Sequence, residues 1–317
     1  MIPQFPNFKT LEITNREAVL RIIKSFSPYS DFDFGSMWSW DYTNSMSISE
    51  LNNNLVVKFS DYITGEYFYS FLGSNLLNET ANILLSHAKD NGLLPYLKLV
   101  PQIVAHNLNQ IDFVTTADPD NFDYVLTMEN LATLAGSELS SKRRAANIFI
   151  RRHGELAVAA IDLAEPEVKQ EIFDLFALWA HQKIERGQDS NEHELVAIER
   201  CLENAEKLDL FAAGMYDQEK LIAFWIVGLR ENNCSISHFE KADTGNYEGI
   251  FPYFKREVAK LLLRKDVHYI NLEQDLGIPG LRQSKQAYQP THTFDKYIVH
   301  TNVWVNFIFL NFYYVTM

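Results

Sequence analysis

Cysteine is almost absent from this chain of 317 residues: there are two, Cys201 and Cys234, far apart and outside any CxxC spacing. Their scarcity excludes a disulfide framework and a zinc-binding signature, so no metal site is expected, and it fits a reducing cytoplasm. Positive charge is also short. Lys and Arg total 28 against 41 Asp and Glu, for a net charge of −13. A global balance of that sign argues against non-specific binding to nucleic acid or anionic lipid, and DNA is not an expected partner. The first residues, MIPQFPNFKTLEITNREAV, lack the basic stretch and apolar run of a secretory signal. Long apolar runs are missing too. The apolar part of the C-terminal HTNVWVNFIFLNFYYVTM is shorter than the roughly 20 residues that span a bilayer, so no transmembrane segment is expected.

What is present suits an ordinary globular protein, with 47% hydrophobic and 22% charged residues. The length allows one large domain or two medium ones. Locally the charge reverses, with Lys142, Arg143, Arg144, Arg151, Arg152 and His153 within twelve residues. The aromatic tail over 300–317 reads as a terminal strand from its β-branched and aromatic content. A membrane-surface anchor giving peripheral contact is the alternative.

Along the chain, LEITNREAVLRIIKSFSP reads as a helix stopped by Pro28, and SDFDFGSMWSWDY as a core-packing loop and strand. Two short strands, NLVVKFSD and GEYFYSFLG, precede an amphipathic helix that ends at Asn91-Gly92. Past a turn-like seam near 115–140 come a basic helix over 140–152 and a helix starting at Pro166. The hairpin strands follow, then a helix over 250–264 and a strand HYINLEQD.

The chemistry concentrates between Cys234 and Lys296. In the strand CSISHFEKA, strict alternation places His238 and Glu240 on the same side as Ile236. They can serve as a base and its orienter, as two acceptors for an ammonium, or as a structural pair. In the loop that follows, Lys241, Gly245 and Tyr247 stand before a helix start, a position suited to an anion and equally to an ordinary turn. Alternation in HYINLEQD puts Asn271, Glu273 and Asp275 on one face at a strand end, to meet a ligand or to close a salt-bridged corner. Arg282, Lys285 and Tyr288 share the next helical stripe. Lys142, Arg143 and Asn147 are candidates to grip a phosphate or RNA backbone, with a solvated basic face as the alternative.

The element order over 155–299, an antiparallel hairpin feeding a βαβ crossover, resembles the acetyltransferase-type GNAT fold, and the first half gives a weaker version of the same order. SKRRAANIF, SHFEKADTGNYEG and above all YINLEQDLGIPGLRQSKQAYQP resemble the phosphatidylglycerol lysyltransferase C-terminal-domain family, in particular its stand-alone soluble members. The resemblance implies an α+β protein of two tandem GNAT-like domains, 1–128 and 129–299, each a mixed twisted sheet flanked by helices. It also implies transfer of an aminoacyl group from aminoacyl-tRNA, or of an acyl group from acyl-CoA, to a small-molecule acceptor. His238, Glu240 and Glu273 would be catalytic. Lys241, Gly245, Tyr247, Asn271, Asp275, Arg282, Lys285 and Tyr288 would line the pocket, with Lys142, Arg143 and Asn147 on the polyanion side. The alternative is a non-catalytic binder of a small metabolite or aminoacylated RNA.

Overall fold

The computed structural model describes residues 1–61, 64–187 and 192–302. In chain order the strands are β1 (Lys9–Thr10), β2 (Ser47–Leu51), β3 (Asn54–Ser60), β4 (Tyr67–Leu72), β5 (Leu97–Pro101), β6 (Phe113–Ala117), β7 (Asp123–Thr127), β8 (Val158–Ala160), β9 (Leu210–Asp217), β10 (Lys220–Arg230), β11 (Cys234–Ala242), β12 (Tyr269–Asn271), β13 (His292–Phe294) and β14 (Lys296–Thr301). The helices are α1 (Arg16–Ile23), α2 (Phe34–Trp40), α3 (Leu77–Asp90), α4 (Gln102–Ala105), α5 (Met128–Thr133), α6 (Ser140–His153), α7 (Pro166–Glu185), α8 (Glu192–Glu203), α9 (Ile250–Leu263) and α10 (Pro279–Gln286).

Two compact units share this chain. Among the described residues, one takes Met1–Phe34, Thr43–Phe122 and Phe294–Asn302; the other takes Gly35–Tyr42 and Asp123–Thr293. This division differs from the expected boundary after residue 128. β7 pairs with β12 (Leu126 opposite Ile270), which gives it to the second unit. β14 inserts between β5 and β6, with Val299 opposite both Leu97 and Thr115, which returns the last described strand to the first unit. Beyond Asn302, the terminal strand expected over 300–317 lies outside the described residues.

The first unit has a sheet ordered β1-β2-β3-β4-β5-β14-β6. α3 covers it with Ala81, Leu84, Leu85 and Ala88, buried at the i, i+3, i+4, i+7 spacing that one helical stripe requires. α3 ends where Asn91-Gly92 predicts, with Gly92 at a left-handed φ of +71°. A buried ion pair joins Lys296 to Asp31, and the Lys296 ammonium also donates to Ser30 Oγ at 3.1 Å.

The second unit has the order β13-β7-β12-β11-β10-β9-β8. β9, β10 and β11 are antiparallel, and α9 carries the chain over to β12, parallel to β11. Each unit therefore repeats antiparallel strands, a crossover helix and a parallel strand, the mixed sheets with flanking helices of the expected α+β class. One face of this second sheet packs Ala213, Met215, Trp225 and Val227 on apolar side chains of α5, α6 and α9. Phe239 packs from the opposite face on Trp40 of α2.

Two segments depart from the sequence pattern. SDFDFGSMWSWDY, expected as loop and strand, forms α2, because Phe34 and Met37 bury together at helical spacing. HYINLEQD, expected as an extended strand, stops at Asn271. Glu273 takes a φ of +62° and Leu276 one of +55°, so the chain curls where alternation called for extension.

Candidate functional site

β11 and β12 run parallel only from Cys234–Tyr269 to Ile236–Asn271; β11 then continues to Ala242 without its partner. The sheet opens at that point. On the other side of β11 the pairing with β10 slips, with Ile226 opposite Phe239 and Val227 opposite Ser237. His238 is the extra residue of a β-bulge. The bulge inverts the alternation, so the expected common face of Ile236, His238 and Glu240 does not form. Ser237 shares Glu240's face, as its hydrogen bond from Trp225 Nε1 (2.9 Å) shows. His238 turns to the other side, where its Nε2 would lie 2.5 Å from a Cβ on Gly228; only glycine leaves room for it.

On that side α2 presents Ser36 and Trp40, four residues apart, to His238 and Phe239. Ser36 Oγ donates to Glu273 Oε1 at 2.8 Å and stands 3.3 Å from His238 Nδ1. Nδ1 itself is 3.8 Å from the same carboxylate oxygen. A buried imidazole, a hydroxyl and a carboxylate thus meet at the mouth of the opening, an arrangement that can hold an imidazole in place and pass a proton. Lys241 lies on this face too, but is paired with Glu194 at 2.6 Å and covered by the Trp179 ring at 4.3 Å.

The opposite face holds Glu240. One of its oxygens is ion-paired with Lys255; the other, Oε1, is buried without a hydrogen-bond partner among the described residues. The Lys255 ammonium stands 4.4 Å from the Trp225 ring centre and 5.3 Å from that of Tyr288. Lys142 caps the same Tyr288 ring at 4.4 Å. Burial, and then the charge of Lys255, hold the Lys142 ammonium below the ordinary lysine range. Burial and the nearby Glu240 push the Tyr288 hydroxyl far up.

The polar residues after β12 go to separate partners. Asn271 donates to Asp123 at 3.0 Å and accepts from the Glu273 amide at 2.7 Å. Asp275 is fully buried. It takes Nε and an Nη of Arg282, each at 2.8 Å, the Tyr124 hydroxyl at 2.5 Å and the Gly277 amide at 2.8 Å. Burial raises its pKa, and these hydrogen bonds overcome that and hold it below the ordinary carboxylate range. Lys285 donates to the carbonyls of Leu272 and Gln274 at 2.7 and 2.5 Å. This corner fixes the path of the chain that delivers Glu273.

The loop before α9 is closed on itself. The Gly245 amide donates to Gln182 at 3.1 Å and the Asn246 amide to Asp243 at 3.2 Å, so a protein carboxylate stands where an incoming anion was expected. Tyr247 donates to Asp217 at 2.8 Å, and burial with that bond pushes its hydroxyl up to about 12. Arg143 caps the end of α5 through the carbonyls of Leu134 and Gly136. Asn147 is exposed on α6.

The structure therefore joins His238 with Glu273, and Glu240 with Tyr288 and Lys142, while Lys241, Gly245, Tyr247, Asn271, Asp275, Arg282, Lys285 and Arg143 serve the frame. Sequence reasoning missed Ser36, Trp225 and Lys255. Lys255 had a signal, a cation on the apolar stripe of Val258 and Leu262. No group of side chains suited to a metal ion occurs among the described residues. No helix among them is long and apolar enough to cross a membrane.

The family model described as "Phosphatidylglycerol lysyltransferase, C-terminal" matches residues 24–300. No curated protein sequence matches. Among solved structures, a conserved protein of unknown function from Bacteroides thetaiotaomicron is similar at 25% identity and a TM-score of 0.81, covering 95% of this chain and 100% of its own. The C-terminal domain of a putative lysylphosphatidylglycerol synthetase from Agrobacterium fabrum is similar at 12% identity and TM-score 0.62, over 90% of this chain and 92% of that one. L-PGS from Bacillus licheniformis is similar at 12% and 0.61, over 95% and 93%.

Proposed function

Since the chain belongs to the phosphatidylglycerol lysyltransferase C-terminal family, we propose that it moves an aminoacyl group from aminoacyl-tRNA to a small acceptor. The observation that carries this reading is the bulge at the parting of β11 and β12, which puts His238 beside Ser36 and Glu273 and leaves Glu240 on the other face. The acceptor's amine or hydroxyl attacks the ester carbonyl carbon. Its proton passes to His238, which Ser36 and Glu273 hold in register, and then to the departing ribose oxygen. The bond from the acceptor to carbon forms as the carbon–ribose-oxygen bond breaks. Glu240 Oε1, buried and without a donor among the described residues, accepts from the donor's α-ammonium. The exposed α6 residues Arg144, Asn147 and Arg151, at i, i+3 and i+7, offer a line for the RNA end.

Aminoacyl-tRNAs labelled in the amino acid, incubated with a small-molecule cell extract, test the reading. The wild type is expected to move label to a non-RNA product faster than spontaneous hydrolysis, and H238Q to slow this by about 100-fold. Label leaving every charged tRNA only at the spontaneous rate would refute it. Transfer from an acyl-CoA instead would keep the site and change the donor.

A further inference from the structure

The first unit holds a hollow of about 370 Å3 that the proposed chemistry does not use. Its walls come from three places: the last turn of α1 with the residues after it, the β2–β3 turn, and the segment between β4 and α3. Arg21 and Glu50 both line it. Among the described residues neither side chain has an ion-pair or hydrogen-bond partner, so the two charges stand more than a salt-bridge length apart across an open space. Ile22 and Phe26, both partly buried, give the same hollow an apolar wall.

The floor is rigid. Asn54 is fully buried; its amide nitrogen donates to the Asn75 carbonyl at 2.7 Å and to Thr80 Oγ1 at 3.0 Å, and its oxygen accepts the Asn75 amide at 3.1 Å. A Cβ on Gly73 would lie 2.0 Å from that oxygen, so glycine is what allows the loop to close over Asn54. The loop then enters α3 through Leu76, which supplies no side-chain cap, and the positive end of the helix stays close to the hollow. On the β2–β3 turn, Asn53 adds an exposed amide side chain.

One cation, one anion and an apolar wall around a space of this size match a ligand carrying an anion, a cation and an apolar body. We propose that this hollow binds a free α-amino acid with an apolar side chain, its carboxylate on Arg21, its ammonium on Glu50 and its side chain on Ile22 and Phe26. A zwitterion leaves the charge balance of the hollow unchanged, whereas a simple anion would strand Glu50 and a simple amine would strand Arg21. The site is separate from the His238 and Glu240 groups and does not rest on the proposed transferase reaction.

Calorimetric titration of the full chain tests it, with L-leucine, L-methionine, leucinamide, 4-methylpentanoate and inorganic phosphate as probes. Leucine or methionine is expected to bind saturably in the micromolar-to-millimolar range. Leucinamide, which lacks the carboxylate, and 4-methylpentanoate, which lacks the ammonium, should each bind at least about tenfold more weakly. R21Q and E50Q, surface changes whose folding a thermal melt checks, should each weaken leucine binding by about tenfold or more, and R21K should restore part of it. Phosphate binding as tightly as leucine, leucine binding unchanged in R21Q, or no saturable heat with either amino acid would overturn the proposal.

Discussion

Replacing Asp275 by Asn keeps the shape of the corner after β12 and removes its charge. The carboxylate is fully buried and satisfies four donors, two of them on Arg282. An amide has only one acceptor oxygen, so its NH2 must face either the Tyr124 hydroxyl and Arg282 Nε or the Gly277 amide and the other Arg282 nitrogen. A charged hydrogen bond contributes about 1.5–3 kcal/mol. Arg282 is 36% exposed and can turn its guanidinium to water, so its share is discounted heavily. Depending on which way the amide sits, either the Tyr124 hydroxyl proton or the Gly277 N–H loses its buried acceptor, which costs about 1–3 kcal/mol. A total near 3 kcal/mol corresponds to about 6–12 °C in Tm for a unit of this size.

The pH dependence sharpens the test. Asp275 has a native pKa below its ordinary value of 3.8, so its stabilising contribution is complete above the unfolded value and is lost as pH falls through the lower native one. Asn cannot titrate. The Tm gap between wild type and D275N should therefore be widest above about pH 5 and narrow on acidification below the ordinary carboxylate range. Calorimetric melts of both proteins across that range decide it. A loss under about 2 °C at neutral pH, or a gap that stays constant into acid, would refute the account of this corner.

A methyl group on Gly228 would press on His238 and Arg230, each 2.5 Å from the new carbon. G228A should cost about 1–3 kcal/mol as overpacking and shift the His238 imidazole resonances, which a melt and an NMR spectrum at one pH would read. Lys142, whose ammonium is held below the ordinary range, is neutral in a larger fraction of molecules at a given pH than an exposed lysine. Limiting acetic anhydride near neutral pH, read by peptide mass spectrometry, should modify it ahead of exposed Lys24 and Lys89; a site left among the slowest would contradict this.

The sequence was most legible where one period dominates. The stripe of α3 and its Asn91-Gly92 end followed from spacing and from one glycine with a left-handed φ. The hairpin and crossover around β10, β11 and α9 were equally readable, because long apolar strands flank clear turns. The site was harder. CSISHFEKA alternates without a flaw, and nothing in it announces the extra residue at His238, which only the register against β10 reveals. Ser36 was hidden because the aromatics near it fit both a period of two and an i, i+4 stripe. β14 sits apart from its sheet in sequence, so its return to β5 and β6 could not be seen from local pattern.

The bulge also changes what the site can be. Had His238 and Glu240 shared a face, one hollow would have served both substrates. On opposite faces of β11 they cannot touch one group from one side, yet both flank the stretch where β11 runs on without β12. Past Ile236 the backbone groups of β11 on that side are not spent on pairing with β12. Under the proposed transfer, donor and acceptor approach β11 from opposite faces, the ammonium at Glu240 Oε1 and the nucleophile at His238. That division keeps the amine of the donor away from the base, so the donor's own ammonium is not the group deprotonated. Lys255 stays on the other oxygen of Glu240, between it and the Trp225 and Tyr288 rings, so in the proposed transfer Oε1 is the oxygen left for the ammonium.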